Sequence, residues 1–287
     1  MISIINFITF YYVIIVVACG AMLVGATAAA VGVFAILRRQ SLLGDAIAHA
    51  ALPGIALMFL LGYGAQPFML MLGGGIAGTI GALLVTVVVH TTSLKRDALL
   101  GIMLSVFFGF GIVLKTVIQK RGFANQAVLG KFFFGNASTL LPADLAVIAV
   151  VSAAVFLVLF FFWKEFVALS FDSDYARTAG YSVMALDIYL TLATIFAIVI
   201  GLHTVGVLLM SALLIAPAAA ARQWSSSVSG MLWRAMFFGA LSGLVGALVS
   251  SQVEHLPTGP MIVICLSTIV IISFLFSPTR QVGRGEL

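Results

Sequence analysis

Residues 10–37 read FYYVIIVVACGAMLVGATAAAVGVFAIL, twenty-eight positions without a charged side chain, closed by Arg38 and Arg39. A helix needs about 20 mostly apolar residues to cross the roughly 30 Å hydrocarbon layer of a bilayer. This stretch has that length with residues to spare. Lipid offers no partner to a backbone N–H or C=O, so a spanning segment is either a helix or part of a closed barrel. A continuous apolar run, as opposed to strict alternation, selects the helix. The run follows no positive segment and far exceeds the roughly 7–15 apolar residues of a secretory signal. It is read as a retained span.

Working outward, similar runs fill the chain at about 10–37, 42–62, 68–91, 98–118, 143–163, 185–202, 204–221, 232–252 and 258–277, which makes nine candidate spans. Only 8% of the 287 residues are charged and 63% are apolar, against roughly 25% charged in a soluble domain. A soluble globular protein is excluded. The reading is an all-α, polytopic membrane protein forming one domain over 1–287. The sixth and seventh runs nearly abut at His203, so eight spans with a broken or re-entrant helix there is the alternative count.

The net charge of +5 does not mark a nucleic-acid binder, because the basic residues sit in pairs between apolar runs and form no face. They report topology instead, since short cytoplasmic loops collect Lys and Arg. Arg38, Arg39, Lys95, Arg96, Lys164, Arg177, Arg222, Arg234, Arg280 and Arg284 fall on one side; Lys115, Lys120, Arg121 and Lys131 fall on the other. That asymmetry predicts an outer N-terminus, a cytoplasmic C-terminus and an odd number of crossings. Cys19 and Cys265 lie inside apolar runs with no metal or disulfide spacing, and are assigned to packing.

Two connections are long. The outer one, 119–142, contains the apolar run Lys131 to Gly135 and is either a packed loop or a segment dipping into the membrane surface. The inner one, 164–182, contains FDSDYARTAGYS at 171–182. Asp172 or Ser173 suits an N-cap, Asp174 falls in the first turn and Gly180 stands where a helix would end. A short helix lying between two spans is expected there, within about 170–182.

An ionisable residue inside a span is costly and by default functional. Asp45 and His49, in SLLGDAIAHAALPG at 41–54, stand four residues apart and project from one helical face. A carboxylate oxygen and an imidazole nitrogen suit manganese, zinc or ferrous iron, and without thiolates they do not suit copper(I). Pro53 has no N–H for the His49 carbonyl, leaving either a further oxygen or a kink. The structural alternative pairs Asp45 with Arg38 and Arg39 and hydrogen-bonds His49 to a neighbouring helix. His203 is either an outer-side ligand or gate, or an interfacial histidine bonded to a loop. His90 and the outer Glu254 and His255 are weaker candidates. Gly73, Gly74, Gly75, Gly78 and the small residues around Pro217 read as packing seams or a subunit interface. A phosphate-binding GxxxxGK[ST] loop is absent, so an ATP-driven step needs a partner.

RRQSLLGDAIAHAALPGIAL at 38–57, FDSDYARTAGYS at 171–182 and VGVLLMSALLIAPAAAAR at 205–222 together resemble the membrane permease subunits of bacterial manganese, zinc and iron importers of the ATP-binding-cassette class. The resemblance covers nearly the whole chain. It implies a fold related to the cobalamin and siderophore importers, and a transport subunit that is not itself an enzyme and binds no permanent cofactor. It further implies a second permease subunit, identical or paralogous, a pair of cytoplasmic ATPases and an extracytoplasmic metal-binding protein in a bacterial cell membrane. The family's metal-contacting pair maps onto Asp45 and His49, and its ATPase-coupling helix onto Asp172, Asp174, Tyr175, Ala176 and Gly180. A proton-coupled secondary metal transporter is the alternative that the residues by themselves leave open.

Overall fold

The computed structural model describes residues 2–64, 66–121, 130, 135, 140–252 and 256–277, with the side chains of 2–11, 203 and 208 excepted. Among these residues the chain is helical throughout. The elements are α1 (Ile2–Leu37), α2 (Leu43–Met58, continued by a wider turn over Phe59–Tyr63), α3 (Pro67–Thr91), α4 (Arg96–Lys120), α5 (Pro142–Phe161), α6 (Trp163–Phe171), α7 (Ser173–Thr178), α8 (Val183–Thr204), α9 (Val207–Arg222), α10 (Val228–Gln252) and α11 (Thr258–Phe276). Eight of them are long and apolar enough to cross a membrane, whereas α9 has a shorter apolar stretch, Leu209–Arg222. The helices are apolar on every face, as expected when the surroundings are lipid on one side and protein on the other. Phe160 at 75% exposure and Val150 at 70% show apolar side chains turned outward on α5, a surface suited to lipid or to a partner subunit.

The sixth and seventh runs of the sequence form two helices with a break between them. Gly206 takes φ +88° at that break, a left-handed value open to glycine. At about 1.5 Å per residue, the 16 residues of α9 span only about 24 Å. It survives because protein encloses it: Val207, Met210, Leu213, Leu214 and Ala218 are wholly buried against α1, α2, α10 and α11. Gly135, from the long connection before α5, presses on the Thr204 and Val205 backbone and covers the start of α9. Residues 131–134 of the apolar run singled out in that loop lie outside the described residues.

Contacts between distant ends define the path. Arg38 after α1, His90 near the end of α3, Arg96 at the start of α4 and Asp187 in α8 meet at one end of the bundle. Ser277 after α11 donates a hydrogen bond of 2.6 Å to the Gln223 carbonyl after α9, so these two helices finish at a common end. Ser250 near the end of α10 donates to the Leu256 carbonyl ahead of α11, closing the opposite turn. With α9 counted as a crossing, the start of α1 and the end of α11 fall at opposite ends among the described residues. The eight helices long and apolar enough to cross make an even number, so the odd count expected from the Lys and Arg placement rests on α9. The end that gathers Arg38, Arg96 and Arg177 is termed the basic end below.

Glycines set the helix spacing where backbones touch. A Cβ on Gly25 would strike the Gly239 carbonyl of α10, and one on Gly54 the Gly73 carbonyl of α3. Such small-residue seams are how helices pack in lipid, where the hydrophobic effect gives no help. A Cβ on Gly32 would overlap the Leu214 carbonyl of α9, and backbone cannot turn aside. Gly32→Val is therefore expected to separate α1 from α9 and destabilise the fold by about 3 kcal/mol or more. Thermal unfolding in detergent measures this, with Gly101→Ala, whose added Cβ meets no neighbour, as the quiet control.

Candidate metal centre

The chain turns back at the basic end and enters α2 at Leu43, so Asp45 lies in the first turn and His49 one turn deeper. Both are partly buried in a helix whose other residues from Leu43 to Ala56 are buried. The His49 ring meets Phe108 of α4 edge-on, with centroids 4.8 Å apart and planes at 75°. One turn along α4, Gly111 gives room for Leu52 and Pro53: a Cβ there would lie 2.8 Å from the Leu52 Cβ and 3.3 Å from the Pro53 Cδ. Phe108 and Gly111 thus seat α4 on the proline-interrupted part of α2 and hold the imidazole from one side.

The Nδ1 atom of His49 is buried and has no hydrogen-bond partner among the described residues. A buried, unsatisfied nitrogen costs about 1–3 kcal/mol and calls for an explanation. Neither structural alternative accounts for it. The Arg38 guanidinium turns to Asp187, 2.7 Å away, and not to Asp45, and His49 forms no hydrogen bond to another helix among the described residues. The pair offers one nitrogen and one carboxylate. Among the described residues no third His, Cys, Asp or Glu joins them, so a bound ion would need water or donors from another chain.

His203 occupies the last turn of α8, at the far end of that helix from Asp187, and its side chain is outside the described residues. Glu254 and His255 are likewise outside the described residues. His90 is placed: its Nε2 lies 3.3 Å from Asp187 Oδ2.

Asp187 is the residue that sequence reasoning missed. Its side chain is 1% exposed. Arg38 Nη2 donates to Oδ1 at 2.7 Å, Arg96 Nη1 donates to the same oxygen at 3.1 Å, and Arg96 Nη2 donates to Oδ2. Burial lowers the pKa of the Arg38 guanidinium from its ordinary value, and the charge of Asp187 pulls it back up. One carboxylate thus ties the ends of α1, α3 and α4 to α8. The only signal in sequence was an acidic residue in an otherwise apolar run, VMALDIYL at 183–190.

The short helix expected in 170–182 forms as α7. Asp172 is its N-cap, accepting from the Asp174 and Tyr175 amides at 3.0 and 2.9 Å. Gly180, at φ +89°, closes the other end, with Gly180 N–H bonded to the Arg177 carbonyl and Tyr181 N–H to the Ala176 carbonyl. This is the paired C-terminal bonding in which glycine is favoured. Ala176 is fully buried while Tyr175 is 63% exposed. Ala176 anchors the helix, and Asp174, Tyr175 and Arg177 face outward.

The ABC 3 transport family model matches residues 10–277. The zinc transport system membrane protein TroC of Treponema pallidum is 42% identical over 93% of this chain and 89% of its own length. The manganese transport system membrane protein MntC of Bacillus subtilis is 40% identical over 94% of this chain and 62% of its own length. In three dimensions the chain is similar to PsaBC from Streptococcus pneumoniae, with a TM-score of 0.82 and 30% identity over 98% of both chains. An inward-facing transporter described as of the metal-chelate ABC type shares the fold at a TM-score of 0.73 and 16% identity, over 90% of this chain and 84% of that one. Family match, relatives and fold converge: the chain belongs to the ABC 3 transport family, as a multi-pass membrane permease.

Proposed function

We propose that the chain is the membrane subunit of an ATP-driven importer of divalent transition-metal ions, manganese or zinc, and that Asp45 and His49 hold the ion in transit. The observation that carries this reading is the buried, unpartnered Nδ1 of His49 one helical turn from a carboxylate. Relatives named for zinc and manganese transport support the cargo class. A site with two protein donors holds an ion loosely, as transport requires, and a second copy or a paralogue facing it would double the donors. The exposed side chains of α7 are the docking points for a cytoplasmic ATPase, with Asp172 and Gly180 shaping the helix and Ala176 seating it. An extracytoplasmic metal-binding protein delivers the ion. The basic end then faces the cytoplasm, with the N-terminus outside.

The chain of contact explains how ATPase motion reaches the ion. α7 is joined to α8, Asp187 of α8 grips the ends of α3 and α4, and those two helices pack on α2 beside His49. Expressed with its ATPase in a strain lacking other manganese and zinc importers, the chain should restore uptake of one or both metals. An ATPase disabled in hydrolysis should abolish it. Uptake that survives without the ATPase and collapses with the proton gradient would instead establish a secondary transporter.

A further inference from the structure

At the basic end a polar cavity of about 320 Å³ opens between α7 and the ends of α1, α3, α4 and α8. Arg38, Arg96 and Arg177 line it with Gln40 and His90, and Asp187 is the one carboxylate in its wall. Three guanidiniums against one carboxylate leave a surplus of two positive charges from these four groups. Asp187 does not satisfy this wall. Arg38 commits one of its nitrogens to the carboxylate. Among the described residues Arg177 forms no ion pair or hydrogen bond, and neither does the Gln40 amide, although Gln40 is only 6% exposed. Like charges crowded into one wall repel one another, and so much positive charge repels the transported cation. An anion offering several acceptor oxygens relieves both repulsions at once.

We propose that this cavity is a binding site for a phosphate-bearing anion. Guanidinium groups match the oxygens of a phosphate with parallel N–H bonds, and the Gln40 amide supplies a neutral donor beside them. The bound anion bridges Arg177 of α7 to Arg38 and Arg96 at the ends of α1 and α4, strengthening a connection that otherwise runs through α8. The oxygens come either from a soluble phosphate or from the headgroup of an anionic phospholipid, since the cavity lies where the helices leave the membrane.

Two probes separate these sources. The full chain, purified in detergent and stripped of lipid, is titrated with inorganic phosphate at low ionic strength by calorimetry. The same protein is reconstituted in vesicles of phosphatidylglycerol or of phosphatidylcholine, and retained lipid is counted by native mass spectrometry. Arg177→Ala alters an exposed residue and leaves the fold intact; Gln40→Leu removes the amide at similar size. One site per chain is expected, with Arg177→Ala weakening it about tenfold or more and Gln40→Leu weakening it less. Phosphate binding identifies a soluble ligand, and selective retention of phosphatidylglycerol without phosphate binding identifies the headgroup. The proposal is overturned if neither probe binds, or if wild type and both variants bind alike.

Discussion

Asp187→Ala should cost about 3–5 kcal/mol of stability, the usual effect of removing one partner from a buried charge cluster. The cause is not the loss of attraction alone. Arg38 and Arg96, with side chains 11% and 17% exposed, would be left as two like charges facing each other without a counter-ion. The variant should be recovered in low yield and unfold at a lower temperature in detergent. Restoring neutrality tests the cause: Asp187→Leu combined with Arg38→Met and Arg96→Met should regain much of the loss, because an apolar replacement of a buried cluster is often neutral. If Asp187→Ala unfolded like wild type, the four-helix tie would carry no energy and the proposed path from α7 to α2 would lose its middle link.

The opposite dissociation is expected at Asp45 and His49. His49 forms no hydrogen bond among the described residues and meets Phe108 in a T-shaped ring contact, so His49→Ala should change stability by about 1 kcal/mol. Import of manganese or zinc should nonetheless fall at least tenfold, because losing even an outer partner of a metal ligand typically weakens binding 10–100-fold, and His49 is the ligand itself. Asp45→Ala should behave likewise. Neutral imidazole is the binding form, so wild-type uptake should also decline once the medium is acid enough to protonate the ligand. Uptake at wild-type rates in both alanine variants, at normal expression and with the ATPase present, would remove these residues from the pathway.

The features legible in the sequence were those carried by local spacing. Runs of about twenty apolar residues located the crossings, a carboxylate followed by two backbone amides gave the N-cap of α7, and a four-residue interval set Asp45 and His49 on one face. Asp187 escaped because its partners lie 91, 97 and 149 residues away on three other helices. Counted for topology, Arg38 and Arg96 looked like loop charges, when in fact their heads are turned inward. The seams of α1 escaped for a related reason. Gly25 and Gly32 sit among many small residues, and only the approach of α10 and α9 distinguishes them. The apolar run of α9 was visible in the sequence, but its shortness becomes tolerable only once its enclosure is known.

That enclosure has a consequence for how the protein is made. At 16 residues and ending in Arg222, α9 falls below the length at which a segment leaves the translocon for lipid unaided. Its natural destination is a slot already walled by α1 and α2, which are synthesised long before it, and completed by α10, which emerges next. Biogenesis therefore has a waiting step: the early helices must keep an unfilled groove against lipid until the Gly206 break delivers α9 into it. A defect in α1 would then surface as failed insertion of a helix encoded far downstream, even with the sequence of that helix untouched.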